Sequence, residues 1–516
     1  MLSPDPTSVA EGRSIVESAD RPVDPVRAAR VFAVVGGLLA ALIGGAVEHL
    51  LRTADDEPIG SGVLRRGMTE LRPASSEPSR LAVVLVDGMR ADEAVALPSW
   101  GALASRGAWT GRVALEMPSL SRPFEHVLLT GVPIDASGIR SNRFVHRARH
   151  DSLTDRVRAA RGSVLIVSQG LDWLRRMHGA SEDGGSDAAD ALDGPLDDAL
   201  DELTHAAPPA LLLVHHVTGD QTAHDHGVRS EEHRAALRQA DRVIERIAEL
   251  GTRLVVLSDH GHLESGGHGG PEREVALAPI LIRGLAGAPS TRAVPAVSLA
   301  PTLARLVGVA PPLHATAPAV GETADARHAR AEAAFVAGRR AEELRLEGRR
   351  RWMILLALAF LVLTLGPIKR AFGFDRGVVI AVLLWPLVVV LGHLALGRPL
   401  SLSAIDDRAV HIARVVSLGA LGALLAIAAS RWIGRGPPRG RVRRGAAAVG
   451  WVATGSFVSS ATWAGFALGP WPLTPIEFYL PLLSGGAAIG ALVVASGALA
   501  LERRGAQTSG GRASSV

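Results

Sequence analysis

Residues 253–270 read RLVVLSDHGHLESGGHGG. The run RLVVL is short and rich in β-branched residues, which predicts a buried strand. It stops at Ser258-Asp259-His260-Gly261, and His268 follows eight residues after His260. The same order recurs upstream. LAVVLV (81–86) runs into Asp87-Gly88, and ALLLV (210–214) runs into His215-His216-Val217-Thr218-Gly219-Asp220, then His224. SVLIV (163–167) is a further strand candidate, and stretches such as 231–250, EEHRAALRQADRVIERIAEL, have the apolar spacing of a helix. This alternation from Leu81 to about Val309 predicts an α/β domain with a largely parallel sheet flanked by helices. In such sheets ligands gather at the C-terminal ends of the strands.

Composition restricts the chemistry there. The 516 residues contain no cysteine, which excludes disulfides, thiolate metal sites and cysteine nucleophiles. A metal must therefore be held by Asp, Glu, His or hydroxyls, and convergent Asp and neutral His suit zinc, with manganese as the alternative. Lys+Arg number 55 against 51 Asp+Glu, an excess too small to imply nucleic acid binding, and none is expected. Mean hydropathy is +0.22, so membrane segments are expected.

Val31–Val47 carries no charge over 17 residues, nearly enough helix to cross ~30 Å of hydrocarbon. No small-residue cleavage site follows closely, so it reads as an uncleaved anchor. The expected organisation is a tail (1–30), that anchor (31–47), a Pro/Ser/charged linker (53–79) and the α/β domain (80–320). A charged connecting helix (322–351), a five-span region (352–501) and a second tail (502–516) follow. The five spans are placed near 352–368, 377–397, 411–430, 445–468 and 478–501, making about six in all. Residues 181–202 hold nine acidic residues and no basic one, without a ligand pattern, and read as a solvated insertion.

Lys369, Arg370 and Arg376 mark one loop, Arg431, Arg435, Arg439, Arg441, Arg443 and Arg444 another, and Arg503, Arg504 and Arg512 the C-terminus. The alternate loops are poorer in Lys and Arg. Both termini are therefore expected in the cytoplasm, with the α/β domain on the non-cytoplasmic side of a plasma or inner membrane. The Arg349–Arg351 cluster opposes this orientation, but long domains translocate largely regardless of charge.

The segment 117–131, MPSLSRPFEHVLLTG, contributes the nucleophile candidate. Ser121 precedes Arg-Pro and a helical pattern, so it is expected at a helix N-terminus, where backbone N–H groups and the dipole favour an anion. A plain N-cap is the commoner role for such a serine. The metal-ligand residues elsewhere favour a nucleophile, which needs a base or metal to activate it.

Taken in order, VLVDGMRADE, MPSLSRPFEHVLLTG, GDQTAHDHG, LSDHGHLESGGHGG and VSLAPTLARLVGV resemble the alkaline phosphatase superfamily. They are most similar to its type I phosphodiesterase/nucleotide pyrophosphatase branch and to the membrane-bound ethanolamine phosphate transferases of GPI-anchor synthesis. The resemblance covers roughly 81–310. It implies an alkaline-phosphatase-like fold and two divalent metal ions, one held by Asp87, the Ser121 hydroxyl, Asp259 and His260, the other by Asp220, His224 and His268. Ser121 would be the nucleophile, because Thr130-Gly131 stand nine and ten residues on, as in the family. Asn142, in Gly-Ile-Arg-Ser-Asn, would hold a phosphoryl oxygen.

The chain departs from the phosphodiesterases in having Ser at 121 rather than Thr, and Phe124-Glu125-His126 after the proline. Ala223 replaces a Gly, and His262 stands where relatives often carry Met; it is a candidate substrate contact, with a solvated histidine the commoner reading. The sulfatases of the superfamily are disfavoured because their Cys, or Ser-x-Pro-x-Arg, motif is missing. The implied function is a membrane-anchored, metal-dependent phosphodiesterase or phosphoethanolamine-type transferase working through a covalent phospho-serine. Its partners would be the lipid bilayer and a phosphoester substrate such as a phospholipid donor. An outward-facing phosphomonoesterase and a non-catalytic membrane scaffold are the alternatives.

Overall fold

The computed structural model describes residues 78–137, 139–142, 144, 146–169, 173–179, 209–285, 292–323, 376–434, 436–467 and 475–510. The expected anchor at 31–47, nearly all of the 53–79 linker, the acidic stretch 181–202, most of the 322–351 helix and the span at 352–368 lie outside them.

The strands are β1 (Leu81–Val86), β2 (Trp109–Ala114), β3 (Val164–Ser168), β4 (Leu211–His216), β5 (Arg253–Leu257), β6 (Leu277–Arg283) and β7 (Val294–Pro295). They form one seven-stranded sheet in the order β3-β4-β1-β5-β6-β2-β7. The sheet is mixed. Strands β3, β4, β1 and β5 run parallel, whereas β6 pairs antiparallel with both β5 and β2. The sequence reading of a largely parallel sheet holds for the half that carries the site. An antiparallel edge on a parallel sheet is common in α/β folds, and strand composition alone does not set direction.

Strand β1 is central and buried on both faces, which is why it is apolar throughout rather than alternating. Leu81, Val83 and Leu85 enter one core layer, with Phe124, Val127 and Leu128 of α2 (Ser121–Thr130) and Leu299 and Leu303 of α5 (Leu299–Val307). Ala82, Val84 and Val86 enter the other, with Trp100 and Leu103 of α1 (Pro98–Ser105). That second layer is closed by α4 (Glu231–Glu249), whose Ala236, Leu237, Ala240, Val243, Ile244 and Ile247 form a buried stripe at helical spacing. The helix starts at Ser230, whose hydroxyl accepts the His233 N–H at 3.1 Å. Each fully buried Leu or Ile contributes ~1.5–3 kcal/mol.

In-register pairing positions the chemistry. Leu81 pairs with Leu211 and with Arg253, so β1, β4 and β5 begin and end together. Asp87, the residues after His216 and Asp259 therefore emerge side by side at one edge. The chain after β4 turns at once into α3 (Thr218–His226).

The C-terminal region contains α6 (Arg376–Ala395), α7 (Arg408–Ile433), α8 (Pro438–Ala467) and α9 (Pro475–Gly510). Three described stretches are long and apolar enough to cross a membrane: Arg376–Ala395, Ala409–Ile433 and Leu482–Leu501. Close crossings use small residues, as in membrane bundles. A side chain at Gly419 of α7 would overlap the Ala487 carbonyl of α9, and one at Gly490 of α9 the Val416 carbonyl of α7. The arginines expected in a loop at 431–444 instead ride largely on the helices, since only 434–437 separate α7 from α8. Arginine is a good helix former, and its stem can carry the charge to the interface.

Candidate metal centre

Three strand ends and two helix starts converge. Asp87 follows β1 directly, and Gly88 turns the chain back with φ 73°. A side chain at Gly88 would collide with the His262 ring, so this turn has room only for glycine. The Gly88 N–H donates to Asp259 Oδ1 at 3.1 Å, tying the ends of β1 and β5 together. Asp220 and His224 lie one turn apart on α3, with His224 Nε2 3.4 Å from Asp220 Oδ1. The helix runs without a break through Ala223, which is fully buried.

Ser121 opens α2, with Pro123 in the first turn, where its missing N–H is no loss. The helix stops at Gly131, which takes the left-handed conformation at φ 67°. The Ser121 Oγ is 3.4 Å from His260 Nε2. Ser119, by contrast, donates its hydroxyl to the Gly270 carbonyl at 3.0 Å and is already engaged. Asn142 Oδ1 accepts the Arg122 backbone N–H at 3.1 Å, so its amide sits at the start of α2 beside Ser121. Arg122 stacks over Trp173 at 4.8 Å and donates to the Phe144 carbonyl.

The residues expected to bind metal do gather. His260 Nε2 lies 3.4 Å from Asp87 Oδ1, 3.3 Å from Asp259 Oδ2 and 3.9 Å from Asp220 Oδ1. His268 Nε2 lies 3.6 Å from Asp220 Oδ1, and its ring stacks on that of His260 at 3.7 Å. Among the described residues, two overlapping groups have the spacing to hold a cation: Asp220, His224, His262 and His268, and Asp87, Asp220 and His260. Asp220 belongs to both.

The electrostatics fit a cation. Asp87 Oδ1 and Asp259 Oδ2 are buried without a hydrogen-bond partner. Burial, then the charge of Asp259, holds the Asp87 carboxyl well above the ordinary range, and burial raises Asp259 as well. Burial drives His260 down to about 3 and His268 well below its usual value. Neutral imidazoles and buried carboxylates that lack a counter-charge are the donor set a divalent ion requires. At Asp220 burial acts upward but is outweighed by hydrogen bonds from His224 and His262, so its pKa is lowered.

Sequence reasoning missed three residues. His262, expected in solvent, is fully buried; Nδ1 meets the Gly88 carbonyl at 2.8 Å and Nε2 meets Asp220 Oδ1 at 2.9 Å. The signal was its spacing of two from His260, which in extended chain returns a side chain to the same side. His215 Nε2 lies 3.0 Å from Asp87 Oδ2, and its Nδ1 lies 3.3 Å from Glu125 Oε1. All three of these groups are buried. No local pattern links Glu125 on α2 to the end of β1. His216 is buried as well, whereas His226 is exposed.

Residues 185–281 match the family described as Type I phosphodiesterase / nucleotide pyrophosphatase. The chain is 30% identical over 296 residues to the catalytic subunit of GPI ethanolamine phosphate transferase 3 of Homo sapiens, covering 49% of this chain and 27% of that protein. The Mus musculus protein of the same description is 37% identical over 121 residues, covering 22% of this chain and 11% of that one. The chain thus matches about a quarter or less of the length of these relatives. Among solved structures, the C-terminal periplasmic domain of EcEptC from Escherichia coli aligns with TM-score 0.32 at 14% identity, covering 47% of this chain and 87% of that one. Murine ectonucleotide pyrophosphatase / phosphodiesterase 5 in complex with AMP aligns with TM-score 0.32 at 13% identity, covering 45% and 96%. The chain resembles the type I phosphodiesterase/nucleotide pyrophosphatase group and the GPI ethanolamine phosphate transferases, as its motifs imply.

Proposed function

We propose that this chain is a membrane-anchored, metal-dependent phosphodiesterase or phosphoethanolamine-type transferase that works through a phosphorylated Ser121. The observation that carries the reading is the position of the Ser121 hydroxyl. It stands at the first turn of α2, 3.4 Å from His260 Nε2, which itself lies 3.4 Å from the unpartnered Asp87 Oδ1 and 3.3 Å from the unpartnered Asp259 Oδ2. The family match and the curated relatives support a phosphoester substrate.

In this reading Asp87, the Ser121 hydroxyl, Asp259 and His260 hold one divalent cation, and Asp220, His224 and His268 hold a second. Zinc is preferred for this Asp/His set, with manganese as the alternative. When bound, such a pair supplies positive charge that favours the serine alkoxide and neutralises the departing oxygen. The Ser121 oxygen attacks phosphorus in line, the bond to the leaving oxygen breaks, and the substituted phosphoryl group remains on the serine. Asn142 is already fixed through its Oδ1 to the α2 backbone, so its –NH2 donates to an equatorial phosphoryl oxygen. Further charge on that oxygen meets the N-terminal end of the α2 dipole. A hydroxyl acceptor or water then takes the group from Ser121. Within a two-sided membrane the catalytic unit is assigned to the non-cytoplasmic face, near a phospholipid donor.

The test is a screen of phospholipid and nucleotide diesters with mass spectrometry of the Ser121 peptide. A mass increase on that peptide equal to the transferred group is expected. Ser121→Ala should lose at least ~1000-fold in turnover while retaining metal. Full activity in that variant rules out the covalent route through Ser121. Preference for p-nitrophenyl phosphate over its bis-ester would assign the chain to monoesters instead.

A further inference from the structure

The connection between α6 and α7, residues 396–407, runs along the segment that carries His268. The Ser401 and Ser403 hydroxyls donate to Oε1 and Oε2 of Glu272, each at 2.5 Å. The Ser403 hydroxyl also accepts the Gly270 N–H at 2.9 Å. Both serines are buried. The glycines beside His268 make this approach possible. A side chain at Gly267 would overlap the Ser403 carbonyl, and one at Gly270 would overlap the Glu272 carboxylate. Arg398 adds a bond from Nη1 to Ser265 Oγ at 2.6 Å.

The connector also reaches a candidate ligand directly. The Asp406 carbonyl is 2.8 Å from His224 Nδ1, a distance at which Nδ1–H donates to it. In the neutral tautomer that bond fixes, Nε2, the nitrogen 3.4 Å from Asp220 Oδ1, is the one whose lone pair would be offered to a cation. Asp406 is itself fixed from within the connector and from α7. Its carboxylate lies 2.7 Å from Arg398 Nη2 and 3.3 Å from Arg414 Nη2. The start of the connector is held from within the helices, where His393 Nε2 lies 3.0 Å from the Pro399 carbonyl and 3.2 Å from the Tyr479 hydroxyl.

We propose that the 396–407 connector is a working part of the metal centre: the Asp406 carbonyl orients His224, and Ser403 with Glu272 fixes the loop that presents His268. The membrane helices then set the second cation site and do more than anchor the catalytic unit. Asp406, Arg398 and Ser403 are positioning residues, because they act through His224 and the His268 loop. An ordinary packing contact between two units would need neither buried hydroxyls on a carboxylate nor an acceptor aimed at the far nitrogen of a ligand histidine. Removing such an outer hydrogen bond typically costs ~10–100-fold in metal affinity.

This inference rests on the two-cation reading, and the experiment separates the two. The full chain in lipid nanodiscs is titrated with zinc against a chelator, and in parallel with cobalt, whose visible absorption reports ligand geometry. Wild type is compared with Arg398→Ala, Arg398→Lys and Ser403→Ala. One site should weaken at least ~10-fold in Arg398→Ala and Ser403→Ala, with a changed cobalt spectrum, while the other site keeps its affinity. Arg398→Lys should restore part of the loss. Ser403→Ala removes a single oxygen away from the helices, so it reads out even if Arg398→Ala fails to assemble. Two cations bound equally tightly in wild type and in Ser403→Ala, with one cobalt spectrum, would overturn this inference alone. A wild-type chain that binds no divalent metal would overturn the two-cation reading and this inference with it.

Discussion

Asp220 is the residue on which both ligand groups depend. Its Oδ1 faces His224, His262, His268 and, at 3.9 Å, His260. Among the described residues, its carboxylate is the one that lies within 4 Å of all four imidazoles. Asp220→Ala should therefore lose one metal equivalent and at least ~100-fold in turnover, measured by metal analysis of the purified chain and steady-state assay. An unchanged metal count would refute its role in the second site. That Asp87, Asp220, His224, Asp259, His260 and His268 would come together was legible, because each sits at a fixed offset from an apolar run. His215 and Glu125 were not, because their contact with Asp87 joins residues on three separate elements.

At the scale of elements, α2 does two jobs. Its first turn presents Ser121, and its buried side carries His126 into a second histidine cluster away from the cation site. His126 Nε2 lies 3.1 Å from His150 Nδ1, and its ring stacks on that of His178 at 5.5 Å. Burial holds His126 well below its ordinary pKa, His150 at about 4 and His178 at about 3. The unfolded chain takes up protons near pH 6.5, whereas the folded cluster resists them down to about pH 4. Between those values the unfolded state binds more protons, so stability falls as pH falls. The contribution is complete above pH ~6.5 and is lost progressively towards pH ~4. Thermal unfolding midpoints should drop between pH 7 and pH 5. The drop should be shallower in His150→Gln, which keeps a polar group beside His126 but does not titrate. Equal slopes in the two proteins would remove this cluster as the source.

For the whole molecule the issue is orientation. The α/β domain and the 396–407 connector meet, so they lie at the same end of the α6–α7 pair. Arginine-rich positions cluster at the other end, in Arg441, Arg443 and Arg444 at the start of α8. Lysine and arginine are retained on the cytoplasmic side. A reporter fused after Arg512 is thus expected to be inactive if it requires export and active if it requires the cytoplasm. A paired alkaline phosphatase and green fluorescent protein fusion reads this directly, and an exported C-terminus would invert the proposed topology.

The amino-acid sequence alone determined the parallel half of the sheet, the long helix 231–249 and the ligand types available. These follow from short-range facts: apolar runs form strands, helical spacing builds one buried face, and a chain without cysteine must use Asp and His. It also placed most of the C-terminal helices, since long apolar runs are local signals. Folding in three dimensions decided what depends on distance between separate segments. Strand β6 reversed against β5 because pairing direction is a property of neighbours. His262 went inside because Gly88 and Asp220 converge on it from two other elements. The connector between two membrane helices came to lie on His224, about 180 residues earlier in the chain. No local pattern encodes such a contact, since it exists only where the α/β domain and the helix pair share one surface.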